Sequence, residues 1–178
     1  MTLATTVLLG VVSCGGGGGE AEDESANASS EREQASTSGA IEPCGLLSAA
    51  QVATVLTDAD DGFVAKAGGS LIDGVDSYQC SYSNPEADLF TVIVTVAVDD
   101  ERFEDIERDP SIQRDIYSDT FREVDVGDSA WLAGTPDDTK LTAIVGRAVV
   151  DLNLMTADAG KKADALVALG NAVVSRIR

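Results

Sequence analysis

The side chains able to do covalent chemistry in this chain are three cysteines, Cys14, Cys44 and Cys80, and a scattered population of carboxylates. Histidine is absent from all 178 residues. That removes Ser-His-Asp and Cys-His catalysis, histidine metal sites and histidine pH switching. Gly127-Asp128-Ser129-Ala130 has the outline of a serine nucleophile turn. A serine without histidine needs a lysine base, however, and no Ser-x-x-Lys occurs. The segment reads instead as a glycine turn that starts a strand. Asp58-Ala59-Asp60-Asp61-Gly62 has the look of a calcium loop, but the twelfth position from Asp58 is Gly69, where a bidentate glutamate belongs. Two thiols without histidine make a poor zinc site, and Cys44 and Cys80 are too far apart for a CxxC redox motif. No metal or other cofactor is expected. Hydrolysis by two carboxylates stays arithmetically open, but acids this dispersed name no pair. Trp131 and the tyrosines could line a pocket; with aromatics at only 4% of the chain, they are expected in the core.

The first cysteine closes an uncharged run, Met1 to Cys14 (MTLATTVLLGVVSC). Its dozen or so apolar residues are too few for a helix across a bilayer, which takes about 20, and suit the apolar region of an export signal. No basic region precedes the run, so the signal is expected to begin upstream of Met1. Val11-Val12-Ser13-Cys14 resembles the bacterial lipobox. The resemblance implies that the Cys14 sulfur receives a diacylglyceryl group and that cleavage before Cys14 makes it the new N-terminus. Other readings are an ordinary secretory signal or a buried strand, and the glycine run after Cys14 disfavours the strand. Each buried methylene contributes ~0.8 kcal/mol, so two or three acyl chains anchor firmly without basic residues.

Charge narrows the partners. Twelve Lys plus Arg against 31 Asp plus Glu give a formal charge of -19. Such a chain lacks the cationic face that nucleic acid or an anionic membrane surface requires. The expected contact with the membrane is through the lipid, on the extracytoplasmic side.

Residues 15–40 (GGGGGEAEDESANASSEREQASTSGA) hold no aromatic and no aliphatic larger than alanine, with six acids against Arg32. Such a segment cannot bury enough apolar surface to offset its ordering entropy, so a disordered tether is expected. Its mean reach is about 28 Å as a coil and about 90 Å fully stretched. The division is thus a signal with its lipobox cysteine over 1–14, a tether over 15–40 and a globular domain over 41–178.

Within the domain, hydrophobic periodicity supplies the elements. Ser48 and Gln51 form a capping box, with Leu47 placed to staple onto Val52, opening a helix over 49–57. Residues 77–83 and 89–98 alternate as strands, the second (LFTVIVTVAV) covered on both sides. Asp99 or Asp100 caps a helix through Arg108 that buries Phe103 and Ile106, and Pro110 stops it. Residues 121–126 lead through the Gly127-Asp128 turn into a strand carrying Trp131. Residues 141–145 and 148–155 form a hairpin about Gly146-Arg147, with Val150, Leu152 and Leu154 inward and Asp151 and Asn153 toward solvent. A helix over 161–178 buries Leu166, Leu169, Gly170, Val173 and Ile177, and its dipole favours Arg176 and Arg178 at the end. The fold class is α+β: an antiparallel sheet packed by helices. Outside the cytosol, Cys44 and Cys80 are expected as a disulfide; in a cytosolic protein they would be two buried thiols.

Lipobox, acidic spacer, Pro43-Cys44-Gly45-Leu46-Leu47-Ser48 opening a helix, and a Cys80-Ser81-Tyr82 strand together resemble the actinobacterial lipoprotein family known as domain of unknown function 3558. Val126-Gly127-Asp128-Ser129-Ala130-Trp131, the closing hairpin and the last helix are similar to that family's second half. The resemblance spans about residues 41–178 through short, mostly structural motifs. It implies a small antiparallel sheet with helices, similar to Mog1/PsbP-like folds, and a Cys44–Cys80 pair. It carries over no catalytic residue. The expected function is a lipid-anchored extracytoplasmic protein with a non-enzymatic binding domain for a protein partner or small apolar ligand. The alternatives are a carboxylate-dependent envelope enzyme and a spacer without ligand.

Overall fold

A computed structural model describes residues 41–67, 73–104, 106 and 109–178. Cys14 and the expected tether lie outside the described residues. Seven antiparallel strands form one sheet: β1 (Phe63–Ala67), β2 (Val75–Ser83), β3 (Leu89–Ala97), β4 (Arg122–Glu123), β5 (Ser129–Gly134), β6 (Asp138–Val145) and β7 (Ala148–Met155). Their spatial order is β1-β2-β3-β7-β6-β5-β4. With α1 (Ala49–Val52), α2 (Asp100–Glu104), α3 (Ser111–Ile116) and α4 (Ala163–Ile177), this is the α+β architecture that the periodicity implies.

Register puts the aliphatic positions of the central strands into single rows. Cys80, Val92, Leu152, Leu141 and Leu132 stand side by side across β2, β3, β7, β6 and β5. All are at most 2% exposed. Alternation dictates this, because every second β-branched or aliphatic residue points to the same face. α4 packs across β6 and β7 on that face, burying Leu166, Leu169, Gly170, Val173 and Val174. Ile177 is only partly buried against this core.

The N-terminal segment is locked onto the same layer. Cys44, on a 3-10 turn over Pro43–Gly45, is disulfide-bonded to Cys80 of β2, with Cα atoms 5.1 Å apart. Arg176 Nη1 donates to the Gly45 carbonyl (2.8 Å) and Lys162 Nζ to that of Val55 (2.8 Å). The capping box forms as its spacing requires: Gln51 N donates to Ser48 Oγ and Ser48 N to Gln51 Oε1. Leu47, Val52, Val55 and Leu56 are all buried. The helix is nevertheless shorter than 49–57. Thr54 Oγ1 takes the Gln51 carbonyl (2.7 Å), and the chain tightens into i→i+3 bonds at Thr54 and Val55. Hydroxyl back-bonding and β-branching work against further α-helix here.

Other boundaries also move. β3 ends at Ala97, and Val98 is exposed rather than inward. Asp99, not Asp100, caps α2 by accepting from Arg102 N (2.8 Å). That helix ends at Glu104, and Arg108 lies outside the described residues. Phe103 is buried with Ala97 and Val149, and Ile106 packs against them. In the segment 121–126 leading to the Gly127-Asp128 turn, only Arg122–Glu123 pairs as a strand, because the chain curls as Val126 N donates to Val124 O (3.2 Å). β6 begins three residues before Leu141. The final helix is preceded by a 3-10 turn over Ala159–Lys162 instead of starting at Lys161.

Candidate functional site

The Gly127-Asp128-Ser129-Ala130 turn proves to be a clasp. Asp128 N donates to the Ile144 carbonyl (2.7 Å). The Asp128 carboxylate accepts from Gly146 N (2.6 Å) at the β6–β7 hairpin and from Arg178 Nη2 (3.0 Å) at the C-terminus. One side chain thus joins a turn, a hairpin and the end of α4, which accounts for the motif without a nucleophile. Asp60 is similarly occupied: its carboxylate accepts from Gly62 N (3.0 Å) and Ser83 Oγ (2.8 Å). Slight burial opposes its ionisation, but these donors prevail and hold the carboxyl below its ordinary value. Among the described residues, no group of three or more cysteines and acids could hold a metal ion.

Two clefts flank Gly134 at the end of β5. The larger, about 340 Å³, lies between β5, the Thr135-Pro136 turn and the start of α4. Leu132, Ala133, Pro136 and Ala163 give it apolar walls, and Arg122 and Lys161 stand on its rim. Both cations are already paired, Arg122 to Asp164 (2.7 Å) and Lys161 to Asp158 (2.8 Å). These are exposed pairs that a ligand can compete for at little cost. The volume falls at the lower end of the range for small-molecule sites.

The smaller cleft, about 210 Å³, opens onto the other face of the sheet. Its floor is Trp131, Lys140, Thr142 and Asn153, and its roof is Gln113 of α3 with Tyr117. Here the expected orientation of β7 needs correcting. Asp151 and Asn153 do not simply face solvent but are half-buried in a polar layer. Asp151 accepts from Thr142 Oγ1 (2.6 Å) and pairs with Lys140 (3.0 Å). Trp131 is buried as expected, 5% exposed, but on this polar face and outside both apolar clusters. Of the tyrosines, Tyr82 is in the main core, stacked at 5.9 Å on Phe90, whereas Tyr78 and Tyr117 are only partly buried and belong to neither cluster.

The Cys44–Cys80 bond is the one chemical feature of the sequence reading that the described residues contain. Gln113, Lys140 and Asn153 were not legible as site residues. The roof helix α3 is hidden in the residue pattern because Pro110 marks the stop of the helix before it. Pro110 also starts a helix: Asp109 accepts from Ser111 N (2.9 Å), and Pro110 O receives Arg114 N (2.8 Å). Ile112 and Ile116, four apart, were the remaining signal, and both prove exposed.

No family model matches the chain, and neither a curated protein nor a solved structure matches it. Among the described residues no helix is long and apolar enough to cross a membrane.

Proposed function

We propose that this is a lipid-anchored extracytoplasmic protein whose folded domain binds a small apolar ligand and does not catalyse a reaction. The observation that carries the reading is the Cys44–Cys80 disulfide, since such bonds persist in oxidising compartments and are rare in the cytosol. The lipobox-like Val11-Val12-Ser13-Cys14 and the resemblance to the actinobacterial lipoprotein family point the same way. The apolar cleft beside Leu132 and Pro136 supplies the binding surface, and its paired rim cations suit a ligand with a polar end. Each cleft is lined by a single acid, Asp158 in one and Asp138 in the other. That favours binding over two-carboxylate hydrolysis, which needs two acids on either side of one bond, roughly 5–9.5 Å apart.

Anchoring raises the effective concentration of the domain for ligands and neighbours at the membrane surface.

The test is lipid incorporation in cells fed an alkynyl fatty acid. Wild type is expected to carry the label and to partition into detergent, whereas Cys14→Ala carries none. Label retained by Cys14→Ala would place the acyl chain elsewhere and end the proposal.

A further inference from the structure

The smaller cleft combines features that its neighbour lacks. It would hold about seven waters at ~30 Å³ each, which is too small for a drug-sized apolar molecule. Its lining pairs two aromatics, Trp131 and Tyr117, with neutral hydrogen-bonding groups on Gln113, Thr142 and Asn153. Its one cation, Lys140, is neutralised by Asp151 at 3.0 Å, and its one acid, the exposed Asp138, adds a carboxylate able to accept from hydroxyl groups. An anion therefore finds no free positive charge, in a chain already at -19. Gln113 Oε1 is buried with no hydrogen-bond partner, the only such side-chain atom among the described residues. A buried acceptor left unpaired is costly, and turning the amide toward a donor in the cleft relieves that cost.

A ligand that satisfies all of this is compact, free of negative charge, apolar on one face for the aromatics, and rimmed by groups that both donate and accept. Those are the properties of a pyranose ring, whose C–H face is apolar and whose hydroxyls ring the edge. A peptide strand would instead need an open row of backbone partners, and this cleft offers side chains. We infer that the cleft between α3 and the polar face of the sheet binds a single neutral pyranose ring, either free or as the end of a glycan. The inference does not depend on the lipid anchor or on the apolar cleft.

The experiment uses the chain's one tryptophan as its reporter, because Trp131 lines the cleft. The full-length protein, in a detergent without sugar headgroups, is titrated with glucose, galactose, mannose and N-acetylglucosamine, and with their methyl glycosides. At least one is expected to change Trp131 emission saturably in the millimolar range. Response to the methyl glycoside as well as the free sugar assigns the site to a chain-terminal ring, and response to the free sugar alone to the soluble monosaccharide. Asn153→Ala is expected to weaken the response about ten-fold, the loss of one good hydrogen bond. Gln113→Met is the sharper variant. It removes the unpaired acceptor at nearly constant volume, so the thermal midpoint should rise while binding weakens about ten-fold. Absence of a saturable change up to roughly 50 mM of every sugar, where even weak binding would show, overturns the inference. So does an unchanged response in Gln113→Met, or the same response to methylammonium chloride alone.

Discussion

Removing the Cys44–Cys80 cross-link, as Cys44→Ala/Cys80→Ala, is expected to lower the stability of the domain by ~3–4 kcal/mol, from the loop-closure entropy of the 36-residue separation. Cys80 is completely buried in the row that runs through Val92, Leu152 and Leu141, so the cavity left at its sulfur adds to the loss. Cys44 sits in the segment that the Arg176 and Lys162 bonds hold against α4. Without the cross-link those exposed or half-buried bonds and the burial of Leu46, Leu47, Val52, Val55 and Leu56 must carry the segment. For a domain of this size the loss corresponds to a thermal midpoint lower by roughly 10 °C. Guanidinium unfolding should give reduced wild type the loop-closure deficit alone and the double variant somewhat more, by the cavity at Cys80. A difference below about 1 kcal/mol would mean that the N-terminal segment holds its place without the bond.

Gly127→Ala is expected to cost about 3 kcal/mol, most of it from one close approach. Gly127 has φ +67°, and a Cβ there would stand 2.3 Å from the Ile144 carbonyl oxygen. That oxygen is backbone, fixed by its bond from Asp128 N, so it cannot move aside as a flexible side chain would. Gly146→Ala separates the two contributions. Gly146 also has positive φ, +55°, but nothing lies within 4 Å of its added Cβ. Only the conformational cost of about 1 kcal/mol is expected there. Equal losses at the two positions, measured by urea unfolding, would show that the Gly127–Ile144 approach relaxes freely.

These two sites also show what the residue pattern could reveal. The hairpin across Gly146-Arg147, the β3 strand and the apolar stripe of α4 were legible because alternation or helical spacing ran unbroken through them. The capping box at Ser48 and Gln51 was legible because it is a local, two-residue geometry. What the pattern concealed depended on competition or on distance. Thr54 shortened α1 through its own hydroxyl, and β6 starts at Asp138 rather than at residue 141, with Thr139 buried. The burial of Trp131 follows from its size and type, but its face does not, because an aromatic on an alternating strand does not announce which side receives polar neighbours. The clefts were hidden most deeply. Gln113, Trp131, Lys140 and Asn153 come from four separate segments, and only the antiparallel register of β5, β6 and β7 assembles them.

The proposed localisation rests on one covalent state of the chain, which the mass of the mature protein from its native host reads directly. The expected result is a polypeptide that begins at Cys14, heavier by a diacylglyceryl group and further acyl chain, with Cys44 and Cys80 resistant to alkylation until reduced. An unacylated chain that still carries the residues before Cys14, with all three thiols open to alkylation, would contradict it.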